Sequence, residues 1–250
     1  MAGSSLYGDG ALYERLASTG DVQPEVAFYS ALAPGRQPAQ VLELACGTGR
    51  LSLPLSKAGF QVTGIDNSES MLAVARAEAD ASATFLLADV RDFNVGCTFP
   101  LIIFPNNSIG HLLTARDLNA CLDRVSSHLQ ADGLFVVDTF NPALELLSRD
   151  PHTRYPVTTF ATDGGERVTV SETSEYDPAA HLNHLRWYFA FSGGREVECE
   201  FELRIFFPRE LDALLDSQGF AIVAKYGSFA RESFAVASRH QLIVCRRRDP

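Results

Sequence analysis

Five short apolar runs, each followed by a stretch with helical spacing or turn residues, lie between Val41 and Thr139, and this alternation restricts the fold more than any other feature. Val41–Ala45, Val62–Ile65, Thr84–Ala88, Leu101–Pro105 and Leu134–Thr139 are too short for buried helices and are bounded by turn residues, so they read as buried strands. Ser68–Ala79 reads as a helix capped by Ser68, with Met71, Leu72 and Ala75 on its apolar face. Leu51–Lys57 and Ala115–Leu129 read as two more, the second closed by Ala131-Asp132-Gly133. Strands separated by helices pair in parallel, which predicts an α/β chain with a doubly wound sheet.

The period changes after Asn141-Pro142. Val168–Tyr176, Leu182–Phe191 and Glu198–Phe206 alternate polar and apolar residues around the turns Asp177-Pro178 and Ser192-Gly193-Gly194, the pattern of antiparallel strands with one wet face. A helix follows at Pro208–Ser217, with proline in its first turn, and then strands at Ile222–Tyr226 and Gln241–Arg246. The expected division is therefore one α/β domain over residues 1–145 and 207–250, interrupted by an antiparallel insertion over 146–206 that covers a substrate.

A chain of 250 residues, 46% hydrophobic, buries enough surface to fold without disulfides or metals. Its five cysteines are scattered, with no CxxC pair and no zinc spacing, so no metal is expected. A net charge of -10 argues against a nucleic-acid partner. Met1–Gly10 lacks the pattern of a signal peptide, and no apolar run is long enough to span a bilayer, so the expectation is a cytoplasmic protein with no membrane contact.

The stretch Val41-Leu42-Glu43-Leu44-Ala45-Cys46-Gly47-Thr48-Gly49-Arg50 places a glycine turn between a strand and a helix, where a ligand can approach backbone N–H groups. Asp66, at the end of the second strand, suits a ribose diol, and Asp89, at the end of the third, suits an adenine amino group. Together the three strand ends predict an adenosine-containing ligand. The third glycine of a dinucleotide fingerprint is replaced by Ser52, no G-K-[ST] is present, and Glu43 suits a ligand with a cationic amino group better than a pyrophosphate. His111, in Phe104-Pro105-Asn106-Asn107-Ser108-Ile109-Gly110-His111, follows the fourth strand, where ligands of open α/β sheets lie; its ordinary pKa suits proton acceptance.

In Glu43–Gly49, Gly64-Ile65-Asp66-Asn67-Ser68, Met71-Leu72 and Ala88-Asp89-Val90-Arg91-Asp92-Phe93 the sequence resembles the class I S-adenosylmethionine-dependent methyltransferases. The resemblance implies a Rossmann-like seven-stranded sheet with helices on both faces and an antiparallel insertion after strand five. It also implies S-adenosyl-L-methionine as cofactor and a small-molecule acceptor. The glycine turn, Ala45, Cys46, Gly47, Gly49 and Arg50, would hold the methionine part beside Glu43. Asp66 and Asn67 would take the ribose, Met71 an adenine face, and Asp89 with Val90 the adenine edge. Pro105, Asn106 and Tyr13 would complete the cofactor site.

The segment ending at His111 is similar to the amino-sugar N,N-dimethyltransferases of macrolide biosynthesis, which puts His111, Tyr7 and Asn107 at the reacting centre and makes an amine nitrogen the expected acceptor, with oxygen next. Asn106-Asn107 and Asp138–Pro142 depart from that family, so the acceptor stays open. A homodimer is compatible with this class. The other readings are an NAD-type oxidoreductase and a non-catalytic S-adenosylmethionine-binding protein.

Overall fold

The computed structural model describes residues 10–17, 20–33, 39–162 and 164–248. A seven-stranded sheet is built from β1 (Gln40–Leu44), β2 (Gln61–Asp66), β3 (Ala83–Leu87), β4 (Phe99–Phe104), β5 (Leu129–Phe140), β10 (Phe220–Tyr226) and β11 (His240–Arg247). Its order is β10-β11-β5-β4-β1-β2-β3, with β1 to β5 parallel and β11 antiparallel to both its neighbours. The chain reverses its direction of winding between β1 and β4, which opens a crevice at the carboxyl ends of those strands.

Alternation along the central strands divides the core between the two faces. On β4, Ile102 and Phe104 face the cluster that holds Leu118, Cys121, Leu122 and Val125 of α5 (Ala115–His128) and Leu211 and Leu215 of α7 (Pro208–Ser217). Leu101 and Ile103 face the opposite cluster, with Phe28 and Tyr29 of α2 (Gln23–Ser30) and Leu55 of α3 (Ser52–Lys57). The α5 residues recur at helical spacing, and Thr114 starts that helix by accepting the N–H of Asp117. Ser68 caps α4 (Glu69–Glu78) in the same way, through the N–H of Met71.

Strand β5 is longer than expected. Its pairing with β4 jumps from Phe99–Leu129 to Leu101–Leu134, so the polar stretch before Gly133 bulges outward within the strand instead of forming a separate turn.

The insertion after β5 is a four-stranded antiparallel sheet, β6-β7-β8-β9, with α6 (Leu144–Leu147) before it. Strands β7 (Arg167–Asp177), β8 (Leu182–Phe191) and β9 (Glu196–Arg204) match the alternating segments of the sequence, whereas β6 (Tyr155–Ala161) was not expected. It is an edge strand, mostly exposed, with Pro156 at a register shift where a missing N–H costs no ladder bond. One face of this sheet packs Val168, Val170 and Phe189 against Leu16 of α1 (Gly10–Ala17). Among the described residues no helix is long and apolar enough to cross a membrane.

Candidate active site

The carboxyl ends of β1, β2 and β4 surround a cavity of about 570 Å³, closed on its far side by the insertion. At the β1 end the backbone turns through left-handed conformations, with φ of +53° at Ala45 and +56° at Gly47. A Cβ on Gly47 would be strained there and would stand 3.4 Å from the Cε of Met71, so a bare backbone forms this part of the floor. The Gly47 N–H donates to Asp66 Oδ2 at 2.8 Å and the Ser68 N–H to Oδ1 at 2.8 Å, which ties the ends of β1 and β2 together. Burial pushes the Asp66 pKa up, while these N–H groups pull it down. Asn67, Met71 and Val90 continue the wall.

Arg50, one turn further along, holds both carboxylate oxygens of Glu25 at 2.8 and 2.7 Å and so fastens α2 over the glycine turn. Tyr13 of α1 reaches the same cavity, and its phenol hydrogen-bonds the side chain of Asn106.

The end of β4 is held as firmly. Asn106 and Asn107 are consecutive left-handed residues, with φ of +56° and +58°. The Asn106 N–H donates to Asp138 Oδ2 at 3.0 Å and the Asn107 N–H to the Asp138 carbonyl at 3.0 Å. Asn107 Oδ1 in turn accepts the Thr139 hydroxyl at 2.6 Å and the Phe140 N–H at 3.3 Å. Asp138 Oδ1 lies 2.9 Å from His240 Nδ1 on β11, and that carboxylate raises the histidine's pKa. A 3-10 turn, Ser108–His111, then carries His111 to the cavity. Gly110 in this turn lies against β9, where a Cβ would meet the Arg204 carbonyl and a Leu203 methyl at 3.3 Å, so its lack of a side chain lets the insertion close on the site. The His111 side chain lines the cavity, and desolvation lowers its pKa.

Tyr13, Ala45, Gly47 and Arg50, then Asp66, Asn67, Met71 and Val90, and finally Asn106, Asn107 and His111 thus share one cavity wall. Glu43, Cys46, Gly49, Asp89 and Pro105 are not on it. Glu43 is 3% exposed beneath the glycine turn, where its carboxyl accepts the Ser52 hydroxyl at 2.5 Å; burial raises its pKa to about 8. Asp89 is gripped by Arg91, which also reaches Asp117 at 3.0 Å. Tyr7 lies outside the described residues. The wall also holds Phe140, Phe201 and Leu203, to which sequence reasoning gave no role, and Trp187, which the alternating segment offered as a pocket roof or as plain sheet packing. Asp138 and His240 were missed as well: they lie 102 residues apart, and no local spacing joins them.

Residues 41–133, which contain all three strand ends, match the family model of a methyltransferase domain. This stretch of the chain is a methyltransferase domain. Two N,N-dimethyltransferases are similar to the chain. That of Streptomyces fradiae, named for dTDP-3-amino-3,6-dideoxy-alpha-D-glucopyranose, is 36% identical over 120 residues, 47% of either protein. That of Streptomyces venezuelae, named for dTDP-3-amino-3,4,6-trideoxy-alpha-D-glucopyranose, is 32% identical over 47% of this chain and 50% of its own. The chain thus spans about half the length of these curated relatives. Among solved structures, the CcbJ methyltransferase of Streptomyces caelestis superposes with a TM-score of 0.82 at 26% identity, covering 98% of this chain and 99% of its own. The likeness therefore extends past the methyltransferase domain to the insertion and the last two strands.

Proposed function

We propose that the protein is a cytoplasmic S-adenosyl-L-methionine-dependent methyltransferase acting on the amine nitrogen of a small molecule, with 146–206 as its substrate cover. The observation that carries this reading is the placement of Asp66, Gly47 and Met71 on the same cavity wall as His111. Asp66 accepts backbone N–H groups on both oxygens and keeps further lone pairs for a ribose diol. The Thr48 hydroxyl, buried in the glycine turn, has no hydrogen-bond partner among the described residues. Leaving such a group unsatisfied costs roughly 1–3 kcal/mol, which a polar ligand on this turn offsets. Cavities of this size hold small molecules and cofactors.

In this reading the glycine turn and Arg50 hold the amino-acid part of the cofactor, Asp66 the sugar and Met71 the base. When bound, the cofactor supplies a methyl group on a cationic sulfur. The chain's own residues then align and deprotonate the acceptor. An amine attacks only with its lone pair free, and His111, held neutral by desolvation, accepts the ammonium proton on a ring nitrogen. Asn107 and the 3-10 turn fix the histidine's position, and alignment of the reacting groups is the largest contribution, on the order of 7–11 kcal/mol. The insertion excludes water.

The test is calorimetry with S-adenosylhomocysteine. Replacing Asp66 by alanine removes a charge-assisted pair of hydrogen bonds, worth about 1.5–3 kcal/mol, so affinity falls at least about tenfold. Equal affinity in wild type and Asp66→Ala overturns the ribose assignment.

A further inference from the structure

The acceptor side of the cavity is apolar, and the cations around it already have carboxylate partners. Trp187 and Phe201 meet edge to face at 5.5 Å, and Phe140, Leu112 and Leu203 extend this wall. Trp187 is fixed in place: its indole N–H donates to Glu172 Oε2 at 3.0 Å, and Arg149 holds Glu172 Oε1 at 2.9 Å. Phe140 is 56% exposed, so the apolar surface continues to the mouth.

Arg50 is the one arginine or lysine among the described wall residues, and both its terminal nitrogens are on Glu25. Arg149, Arg186 and Arg204 of the insertion are paired in the same way, with Glu172, Glu200 and Glu210. A nucleoside diphosphate brings negative charge that needs guanidinium, ammonium or clustered N–H donors. Against this apolar wall it would lose water and find no uncommitted cation among the described wall residues. An amine on an apolar body brings no such charge, and the aromatic faces of Trp187 and Phe201 offer it apolar contact that also tolerates a cation.

We propose, on the footing of the methyltransferase reading, that the acceptor is a phosphate-free amine on an apolar body, laid against Trp187, Phe201 and Phe140 with its nitrogen toward His111. This separates the chain from relatives whose names specify dTDP-linked amino sugars.

Trp187 is the only tryptophan in the sequence, so intrinsic emission reports on this wall directly. The full chain, saturated with S-adenosylhomocysteine, is titrated with N-methylphenethylamine and, separately, with dTDP. The amine is expected to change the emission saturably, and dTDP to leave it unchanged at the same millimolar concentration. In Trp187→Leu, followed by calorimetry, amine affinity falls about tenfold, with S-adenosylhomocysteine binding as the control for a folded site. Saturable dTDP binding, or an amine without effect, overturns the proposal while the cofactor reading stands. Failure of S-adenosylhomocysteine to bind in the first step overturns the cofactor reading and the proposal with it.

Discussion

His111 concentrates the chemistry of the reading in one side chain. Its ring lines the cavity, and desolvation by the surrounding protein favours the neutral form, so its pKa lies below the ordinary 6.5. A neutral histidine accepts a proton at physiological pH, and acid removes that capacity. Turnover at saturating acceptor is therefore expected to fall as pH drops through a midpoint below 6.5, the histidine's ordinary value. In His111→Asn this limb disappears and turnover at pH near neutral falls about 100-fold, the lower end of general-base contributions, while cofactor affinity is retained. A pH–rate profile for the variant that keeps the acid limb assigns the proton to another group. Tyr13 and Arg50 act differently. They fasten helices over the cavity, Tyr13 through Asn106 and Arg50 through Glu25, so their loss loosens the cover more than it alters proton transfer.

At the scale of elements, the carboxyl end of β4 is the part under most constraint. Two consecutive non-glycine residues in left-handed conformation are held there because Asp138 accepts both their N–H groups and Thr139 donates to the Asn107 side chain. Asparagine tolerates this backbone better than other side chains, whereas alanine pays about 1–2 kcal/mol for it. Asn107→Ala loses both the side-chain hydrogen bonds and the conformational tolerance. Asn107→Gly loses only the hydrogen bonds. The glycine variant is expected to be the more stable of the two by about 1 kcal/mol in urea unfolding, and equal stabilities would show that the turn is not held by its dihedral angles.

Elements differ in how legible they are from sequence. The central strands are apolar on both faces and run into turn residues, the glycines after β1, Asp66 at β2 and Pro105-Asn106 after β4, so Val41, Ile65 and Phe104 are recognisable in one dimension. Strand β6 sits at an edge, its residues mostly wet, and its β-branched run around Pro156 was the only available signal. The bulge in β5 was hidden because Ala131-Asp132-Gly133 has turn chemistry but is kept within a strand by pairing on both sides. Asp66 and His111 were legible because a strand end names its own position. The pair of Asp138 and His240 was not, since only the antiparallel return of β11 beside β5 brings them together.

Over the whole molecule, charge and burial set the pH range in which the fold is strongest. Glu43 is an acid inside the main sheet, between the two clusters that hold the helices, and its pKa is raised from 4.5 to about 8. Between those two values the folded chain binds a proton that the unfolded chain has released, so stability from this group declines as pH rises. The contribution is fully present below pH 4.5 and is lost as pH rises through about 8. Glu43→Gln keeps the shape and an acceptor for the Ser52 hydroxyl but never ionises. The two proteins are therefore expected to melt at similar temperatures near pH 5 and to diverge above it. Each pH unit corresponds to about 1.4 kcal/mol, or roughly 3–5 °C for a chain of this length. Thermal melts of both proteins in steps from pH 5 to pH 9 measure the divergence. A constant difference across that range would mean that Glu43 is already ionised in the folded protein at pH 5. The glycine turn would then rest on a buried charge, and the nearest cation, Arg50, would be drawn from Glu25 toward it. A shortened Arg50–Glu43 separation and a released α2, seen as faster hydrogen exchange at Phe28 and Tyr29, would accompany that result.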